Sequence, residues 1–263
     1  MVTDNGRLAG EPLQRGGRFC LLHTQIFNSL PAHIPSDARI CYLDFETTGL
    51  DILSEYIVEI GLLDHFGSAA FSTVVRPPVL PDAGPTVHGI PPAELAHGPT
   101  FAEAFRRMVA FLAHLTETAV AEDSDSSCDE VGMTTLRSDP PALIIVAHNG
   151  FKFDIPLLMV ECLRNGIGLE ACETWYFVDT LHVLRAVDAE ITGGCVKLQC
   201  LLTRLRAFDG PLAAHRALSD CYALRGVCQC LAAVLGVSLY RLFAPFCVAM
   251  DKSASVVALS CVL

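Results

Sequence analysis

The chain sets short, β-branched apolar runs between segments of helical periodicity, and this alternation limits its fold more than any other feature. Three strands are predicted in succession, and two more follow with a helical segment between them. The five predicted strands are "RICYLDFET", "YIVEIGLLDHF", "FSTVVRP", "PALIIVAHN" and "WYFVDT". Strands that come first and then alternate with helices indicate an α/β fold, with a central mixed β-sheet and helices on both faces.

Helix signals complete this pattern. In "GPTFAEAFRRMVAFLAHL", Thr100 and Glu103 have the spacing of a capping box, and apolar residues follow at helical intervals. Four later helices are predicted at "DIPLLMVECLRNG", "TLHVLRAV", "KLQCLLTRL" and "HRALSDCYALRGVCQCLAAVL". We expect an irregular N-terminal extension at 1–37, a main domain at 38–240 with an acidic loop at 121–140, and a C-terminal tail at 241–263.

Composition narrows the class of protein. No uninterrupted apolar run reaches the roughly 18 residues of a membrane-spanning helix, so we expect a soluble protein without a membrane partner. The 12 cysteines are scattered and predict reduced, mostly buried thiols rather than disulfides. The net charge of −11 would normally argue against a nucleic-acid partner, but five of the acids lie in "EDSDSSCDE", which is typical of a solvated loop.

The first predicted strand ends in two acids, Asp44 and Glu46, separated by Phe45. Side chains of a strand alternate with period two, so both carboxylates lie on the same face. Two such carboxylates resist ionising together, and a divalent cation relieves their repulsion. A surface pair is the common alternative for this motif, but the apolar run before it and the "TTGL" after it favour a site.

Two further stretches carry chemistry. "AHNGFKFD" follows a buried strand and places Asp154 where a helix begins, and an alternative role for Asp154 is to cap that helix. "HRALSD" places His215 five residues before Asp220, with a solvated helix face as the alternative.

Together, "YLDFETTGL", "VAHNGFKFDIPLL" and "HRALSDCYAL" resemble the three motifs of the DEDDh 3′-to-5′ exonucleases, above all their proofreading-subunit and TREX-like branches. "VHGI" and "VDTLHVLRA" lie where that family has similar sequences, and the resemblance runs from about Arg39 to Ala233. It implies a ribonuclease-H-like exonuclease fold. It also implies hydrolysis of phosphodiester bonds from the 3′ end of DNA, preferably single-stranded or frayed, with release of nucleoside 5′-monophosphates.

The resemblance further implies a role for each of five residues. Asp44 would bridge two Mg²⁺ ions, for which Mn²⁺ can substitute, and Glu46 and Asp220 would bind the ion that carries the attacking water. Asp154 would support the metal site, and His215 would act as the general base. His215 makes this the "h" type, because the tyrosine variant needs a tyrosine four residues before Asp220 and Arg216 stands there.

Contacts to the substrate are implied as well. Thr47, Thr48, Gly49 and Leu50 would contact the 3′-terminal nucleotide, and Asn149 belongs to the same substrate-binding set. Phe153 and Ile90 could stack on bases, although both could equally be core residues. Candidate basic contacts to phosphates are Lys152, Arg204, Arg206 and Arg216.

Several alternatives stay open at this point. DNA is favoured over RNA as the partner, but discrimination depends on contacts to the 2′-hydroxyl that the motifs do not reveal. A polymerase-associated proofreading subunit, a repair partner and a homodimer are further options, as is a non-catalytic binding module. The presence of all five motif residues disfavours the non-catalytic module. We expect an intracellular location, with the nucleus or cytoplasm favoured over an organelle.

Overall fold

The computed structural model describes residues 38–81, 88–122, 142–172, 174–187, 189–207 and 215–249. The N-terminal extension, nearly all of the acidic loop and residues 250–263 of the C-terminal tail lie outside these ranges. The strands are β1 (Arg39–Thr47), β2 (Ile57–Asp64), β3 (Ala70–Val74), β4 (Leu143–Ala147), β5 (Trp175–Asp179) and β6 (Val248–Ala249). All five strands predicted from the sequence are present, with bounds shifted by a few residues.

The helices are α1 (Pro92–Ala96), α2 (Phe101–Glu122), α3 (Asp154–Arg164), α4 (Thr180–Ala186), α5 (Ala189–Thr192), α6 (Leu198–Leu205), α7 (Ala217–Leu235) and α8 (Leu239–Phe243). Two 3-10 turns cover Glu170–Cys172 and Ala244–Phe246. The capping box forms as predicted, because the Thr100 backbone N–H donates to the Glu103 carboxylate at 2.9 Å. The short helices α1, α5 and α8 were not predicted.

The six strands form one mixed sheet in the order β3-β2-β1-β4-β5-β6. β1 lies at its centre, antiparallel to β2 and parallel to β4. β6 pairs antiparallel with β5, so the sheet continues beyond the predicted domain boundary at residue 240. This confirms the α/β prediction of a central mixed sheet.

Each face of the sheet carries its own apolar cluster. On one face, Leu43 and Phe45 of β1 pack with Phe105 and Met108 of α2 and with residues of α3. On the other face, Tyr42 of β1 packs with buried side chains of α4, α6, α7 and α8. Burying apolar side chains against both faces stabilises the sheet and leaves its strand ends free for a site.

Among the described residues, one helix is long and apolar enough by length and composition to be a candidate membrane span. This helix is α7, and the expectation from uninterrupted apolar runs missed it because Asp220 and Arg225 interrupt its sequence. Its buried side chains, including Leu224, Val227 and Leu231, belong to the cluster under the sheet, as expected of a core helix.

Nine cysteines lie in the described residues and all are free thiols, six of them buried. Burial raises the pKa of the thiols of Cys41, Cys221 and Cys228. This agrees with the prediction of reduced, mostly buried thiols.

Candidate active site

The central strand β1 brings the first two acids together near its carboxyl end. Asp44 and Glu46 alternate with Phe45, which is buried in the core on the opposite face. Both carboxylates are half-buried on the face that α7 covers. The Asp-x-Glu spacing therefore places both acids on one face, as the strand period requires.

Asp154 reaches the same place from a different segment. It is the first residue of α3 and is only 4% exposed. The backbone N–H groups of Asp154 itself and of Phe45, the residue between Asp44 and Glu46, lie near this carboxylate and in part lower its pKa. Asp154 thus lies beside β1, which a helix cap alone would not require.

His215 and Asp220 complete the cluster from the start of α7. Asp220 lies in the first turn of the helix, and its backbone N–H donates to the carbonyl of Arg216 at 3.0 Å. His215 is exposed and has φ of 60°. One ligand atom from each of Glu46, His215 and Asp220 lies within 4.8 Å of the other two, a spacing that could hold a metal ion.

The pKa values of the acids in this cleft are raised above their usual range. Burial, followed by the negative charges of Asp154, Asp220, Glu46 and Glu59, raises the pKa of Asp44 well above its usual range. Burial, reinforced by neighbouring acids, raises the pKa of Glu46 to about 7.

The two remaining acids follow the same trend. Burial raises the pKa of Asp154 to about 7 despite the opposing effect of the two nearby backbone N–H groups. Burial also raises the pKa of Asp220, although the nearby His215 lowers it in part. A cluster that resists negative charge is suited to neutralisation by a cation.

Glu59 is a site neighbour that the sequence interpretation missed. It lies on β2 directly opposite Glu46 and is 1% exposed. Arg216 and the backbone N–H of Ala217, both at the start of α7, donate to its carboxylate. The available signal was a single acid within the otherwise apolar run "YIVEIGLL".

The loop after β1 carries the predicted nucleotide contacts. The Thr47 hydroxyl donates to the Gly49 carbonyl at 2.7 Å, and the Thr48 hydroxyl donates to the Glu55 carboxylate. An added Cβ at Gly49 would lie 2.7 Å from the Glu55 carboxyl carbon, so a side chain there would require the Glu55 carboxylate to shift. The next residue along the chain, Leu50, is 86% exposed.

The remaining predicted contacts differ in accessibility. Ile90 is 1% exposed and packs with Val58 and Leu95, which favours the core alternative over base stacking. Phe153 is half-buried and packs against the first core cluster. Asn149 has φ of 62°, and its backbone N–H donates to Asp179 at 2.9 Å.

Asp179 is a second residue that sequence reasoning missed. This buried carboxylate at the end of β5 also accepts the backbone N–H groups of Phe151 and Leu181. It therefore holds the loop between β4 and α3 and caps α4, which fixes the approach to Asp154. An aspartate followed by "TLHVLRA" is the N-cap signal that could have identified it.

The four basic residues that were predicted to contact phosphates differ in the partners that their side chains have in the structure. Arg216 is bound to Glu59, and Arg204 donates to the carbonyls of Glu190 and Ile191. Lys152 and Arg206 are exposed. In the part of the chain that the structure describes, Lys152 and Arg206 make no such side-chain contact, so these two remain candidates for phosphate contacts.

Comparison with known proteins identifies relatives with one common activity in their names. The chain is 29% identical over 88% of its length to "Exonuclease DPD1, chloroplastic/mitochondrial" of Arabidopsis thaliana, and spans 70% of that protein. It is 26% identical over 72% of its length to "Three-prime repair exonuclease 1" of Bos taurus, and spans 62% of that protein. No family model matches the chain.

Solved structures establish the fold. A zinc-bound complex of Escherichia coli ExoI with single-stranded DNA matches with a TM-score of 0.57 and 18% identity, over 78% of this chain and 42% of that one. A 3′-exonuclease that recognises the 3′ end of a histone mRNA stem-loop matches with a TM-score of 0.52 and 16% identity, over 77% of this chain and 66% of that one. The chain thus has the ribonuclease-H-like exonuclease fold. The order of its three motifs, its fold and its relatives that are named exonucleases together support a DEDDh 3′-to-5′ exonuclease, a hydrolase of phosphodiester bonds.

Proposed function

We propose that this chain is an active, divalent-metal-dependent exonuclease that removes nucleoside 5′-monophosphates from the 3′ end of DNA. The observation that carries the proposal is the approach of Glu46, His215 and Asp220, whose ligand atoms lie within 4.8 Å of one another. The charges of Glu46 and Asp220 also act on Asp44. A metal ligand set and a candidate base are thus presented together at an accessible cleft.

The residues of the cleft fit a divalent cation of the magnesium type. Carboxylate oxygens are hard ligands, which Mg²⁺ prefers and Mn²⁺ accepts. Asp44, Glu46, Asp154 and Asp220 would hold two such ions, and their raised pKa values support a need for positive charge among them. When bound, two ions supply stabilisation of the negative charge on the attacking and leaving oxygens.

His215 is suited to move the proton of the attacking water. Its ring nitrogen lies close to Glu46 and Asp220, where a water would be held. An imidazole accepts a proton near neutral pH, and the exposure of His215 lets it return that proton to solvent. We therefore assign His215 as the general base.

The loop of Thr47, Thr48, Gly49 and Leu50 would receive the 3′-terminal nucleotide. It follows directly from the strand that carries the two acids, and the exposed side chain of Leu50 is available to pack against bases. A single-stranded or frayed end fits a contact area of this size, since the footprint relies on few basic residues. DNA is favoured because the stretch "AHNGFKFDIPLL" resembles that of the TREX-like DNA exonucleases.

One assay tests activity and sugar preference together. Wild-type protein and Asp44→Ala are incubated with 5′-labelled single-stranded DNA and RNA of one sequence, with Mg²⁺, with Mn²⁺ or with EDTA. We expect a ladder that shortens from the 3′ end, only with metal and only for the wild type, with DNA shortened faster. Faster shortening of RNA than of DNA would identify RNA as the preferred substrate. If folded wild-type protein shortens neither strand, the proposal is refuted.

The proposed compartment follows from a relative rather than from the cleft. The plant protein is named chloroplastic/mitochondrial, which agrees with an intracellular protein but not with the preference for nucleus or cytoplasm. We therefore favour an organelle. Imaging of the full chain with a C-terminal fluorescent tag tests this, and a diffuse cytoplasmic or nuclear signal would overturn it. A homodimer and a polymerase or repair partner stay predictions.

A further inference from the structure

Glu59 connects the strand next to the site with the start of the helix that carries two site residues. Its side chain lies on the same face of the sheet as that of Glu46, because the two residues are paired directly across β1 and β2. It is 1% exposed. A buried carboxylate requires compensation, and here the compensation comes mainly from α7.

Both oxygens of the Glu59 carboxylate are in use. The Arg216 guanidinium donates through Nε at 3.1 Å to each oxygen and through Nη2 at 2.7 Å to Oε1. The backbone N–H of Ala217 donates to Oε2 at 3.0 Å, and the Ser72 hydroxyl lies 3.4 Å from Oε1. Because its acceptor sites are taken, Glu59 is not a fifth metal ligand.

These contacts fix the position where α7 begins. Arg216 is the N-cap residue, and in the described structure its side chain makes no capping hydrogen bond to the helix. Glu59 accepts the N–H of Ala217, a donor that helix geometry leaves without a partner, and its negative charge suits the positive end of the helix dipole. The cap of α7 is thus supplied by β2.

The two site residues of α7 flank this anchor. His215 immediately precedes Arg216 and has φ of 60°, a left-handed conformation that a histidine rarely adopts without outside support. Asp220 lies one turn into the helix and donates its N–H to the carbonyl of Arg216. Any movement of Arg216 and Ala217 therefore displaces both His215 and Asp220.

We propose that Glu59 is a positioning residue that, through Arg216 and the Ala217 N–H, holds His215 and Asp220 against Glu46. This inference rests on the proposed exonuclease function of the site. It also assigns Arg216, a candidate phosphate contact from the sequence, to a structural ion pair. The guanidinium has a second acidic neighbour in Glu94, at 3.5 Å.

The variants are Glu59→Gln, Arg216→Met and the double variant, which removes both charges and so leaves neither buried alone. Asp64→Asn is the matched control. Asp64 is also a buried carboxylate of β2 that accepts a backbone N–H, from Ala69 at 3.0 Å, but it pairs with Cys41 at the other end of the sheet ladder.

The first readout is kinetic, with kcat and KM measured for 3′ shortening and corrected for the folded fraction. We expect kcat to fall about 10- to 100-fold for Glu59→Gln and Arg216→Met, with KM changed by less than about 3-fold, since a small misplacement of reacting groups has such an effect. The kcat of the double variant should be no lower than that of the less active single variant, because both substitutions act through one ion pair. Asp64→Asn should keep the wild-type kcat.

The second readout does not need activity. In metal-free protein, amide hydrogen exchange at residues 216–221 should be faster in Glu59→Gln than in wild type, and unchanged in Asp64→Asn. Unchanged exchange, a wild-type kcat in Glu59→Gln, an equal loss in Asp64→Asn, or a change confined to the KM of Arg216→Met would overturn the inference. An inactive wild type in which Glu59→Gln still loosens α7 would refute the proposed function and retain the anchoring of α7.

Discussion

Gly61 of β2 is paired with Asp44 of β1, and a Cβ added at Gly61 would lie 2.4 Å from the carbonyl carbon of Ala217. The start of α7 therefore rests on the backbone of β2, where any side chain would push it away. The Cys221 thiol donates to the Gly61 carbonyl at 3.3 Å and holds the two elements together. The absence of a side chain at position 61 is what lets Asp220 approach Asp44.

We predict that Gly61→Ala separates α7 from the sheet and weakens both fold and activity. The free energy of unfolding should fall by about 1–3 kcal/mol, the usual effect of overpacking. Activity per folded molecule should fall at least about 10-fold, because Asp220 and His215 move with the helix. Chemical denaturation and single-turnover shortening of labelled DNA measure the two effects.

Gly236→Ala is the control for this variant. Gly236 ends α7 with φ of 66°, and a Cβ there would meet no described atom within 4 Å. The substitution should cost about 1 kcal/mol through backbone strain while leaving activity per folded molecule unchanged. Equal activity in both variants would show that close packing at Gly61 is not needed by the site.

Asp44→Asn should abolish activity and stabilise the metal-free protein. Asp44 is crowded by four other acids, so replacing its carboxylate with a neutral amide removes repulsion in the absence of metal. We expect the rate of 3′ shortening to fall at least about 1,000-fold and the Tm in EDTA to rise. A lower Tm in EDTA, with activity lost, would mean that the Asp44 carboxylate is needed for folding.

The stability of the metal-free protein should fall as pH rises. Glu46 and Asp154 have pKa values of about 7 in the fold and about 4 when unfolded, so between these values the folded state binds more protons. Their contribution is complete below the unfolded pKa and is lost as pH rises through about 7. The Tm in EDTA should therefore decrease between about pH 6.5 and pH 8.5.

Between about pH 6.5 and about pH 8.5 the histidines do not mask the decrease in Tm, and a direct control is available. Burial lowers the pKa of His65, His88 and His148, which increases stability with pH only up to the unfolded histidine pKa of about 6.5. Glu46→Gln removes one titrating group and should flatten the decrease, while Mg²⁺ should stabilise more at the higher pH. A Tm in EDTA that rises across the window would contradict the raised pKa values.

Leu50 and Ile90 should respond in opposite ways to truncation to alanine. Leu50 is exposed, so Leu50→Ala should leave the Tm unchanged and raise KM for single-stranded DNA about 5-fold or more through lost base contact. Ile90 is buried with Val58 and Leu95, so Ile90→Ala should cost about 2–5 kcal/mol of stability. A raised KM without destabilisation in Ile90→Ala would restore its role as a base contact.

The sequence predicted the elements whose signals are local. Asp44 and Glu46 follow from strand periodicity, and the helix after Thr100 follows from its capping box. The roles of Glu59 and Asp179 were not predicted, because their partners are distant in sequence. Glu59 contacts Arg216 and Ala217. Asp179 accepts the backbone N–H groups of Asn149 and Phe151. A buried acid is visible in the sequence, but the group that compensates its charge is set by tertiary packing.

The short strand β6 and the short helix α1 were not predicted from the sequence for a related reason. β6 has two residues and owes its place to pairing with β5, while α1 has five residues and packs through Leu95 alone among its buried side chains. Neither is long enough to show a period. Ile90 could be read either way from the sequence, since burial under Val58 depends on how β2 and α1 meet.

The cleft acids come from three distant stretches of the chain, at β1, at the start of α3 and at the start of α7. Each stretch reaches the cleft only through the sheet or through a contact such as that of Glu59 with Ala217. Hydrolysis would then be a property of the whole domain rather than of any segment. A proteolytic cut that releases α7 would abolish activity even if the sheet stayed folded. Activity can thus serve as a sensitive gauge of intact folding.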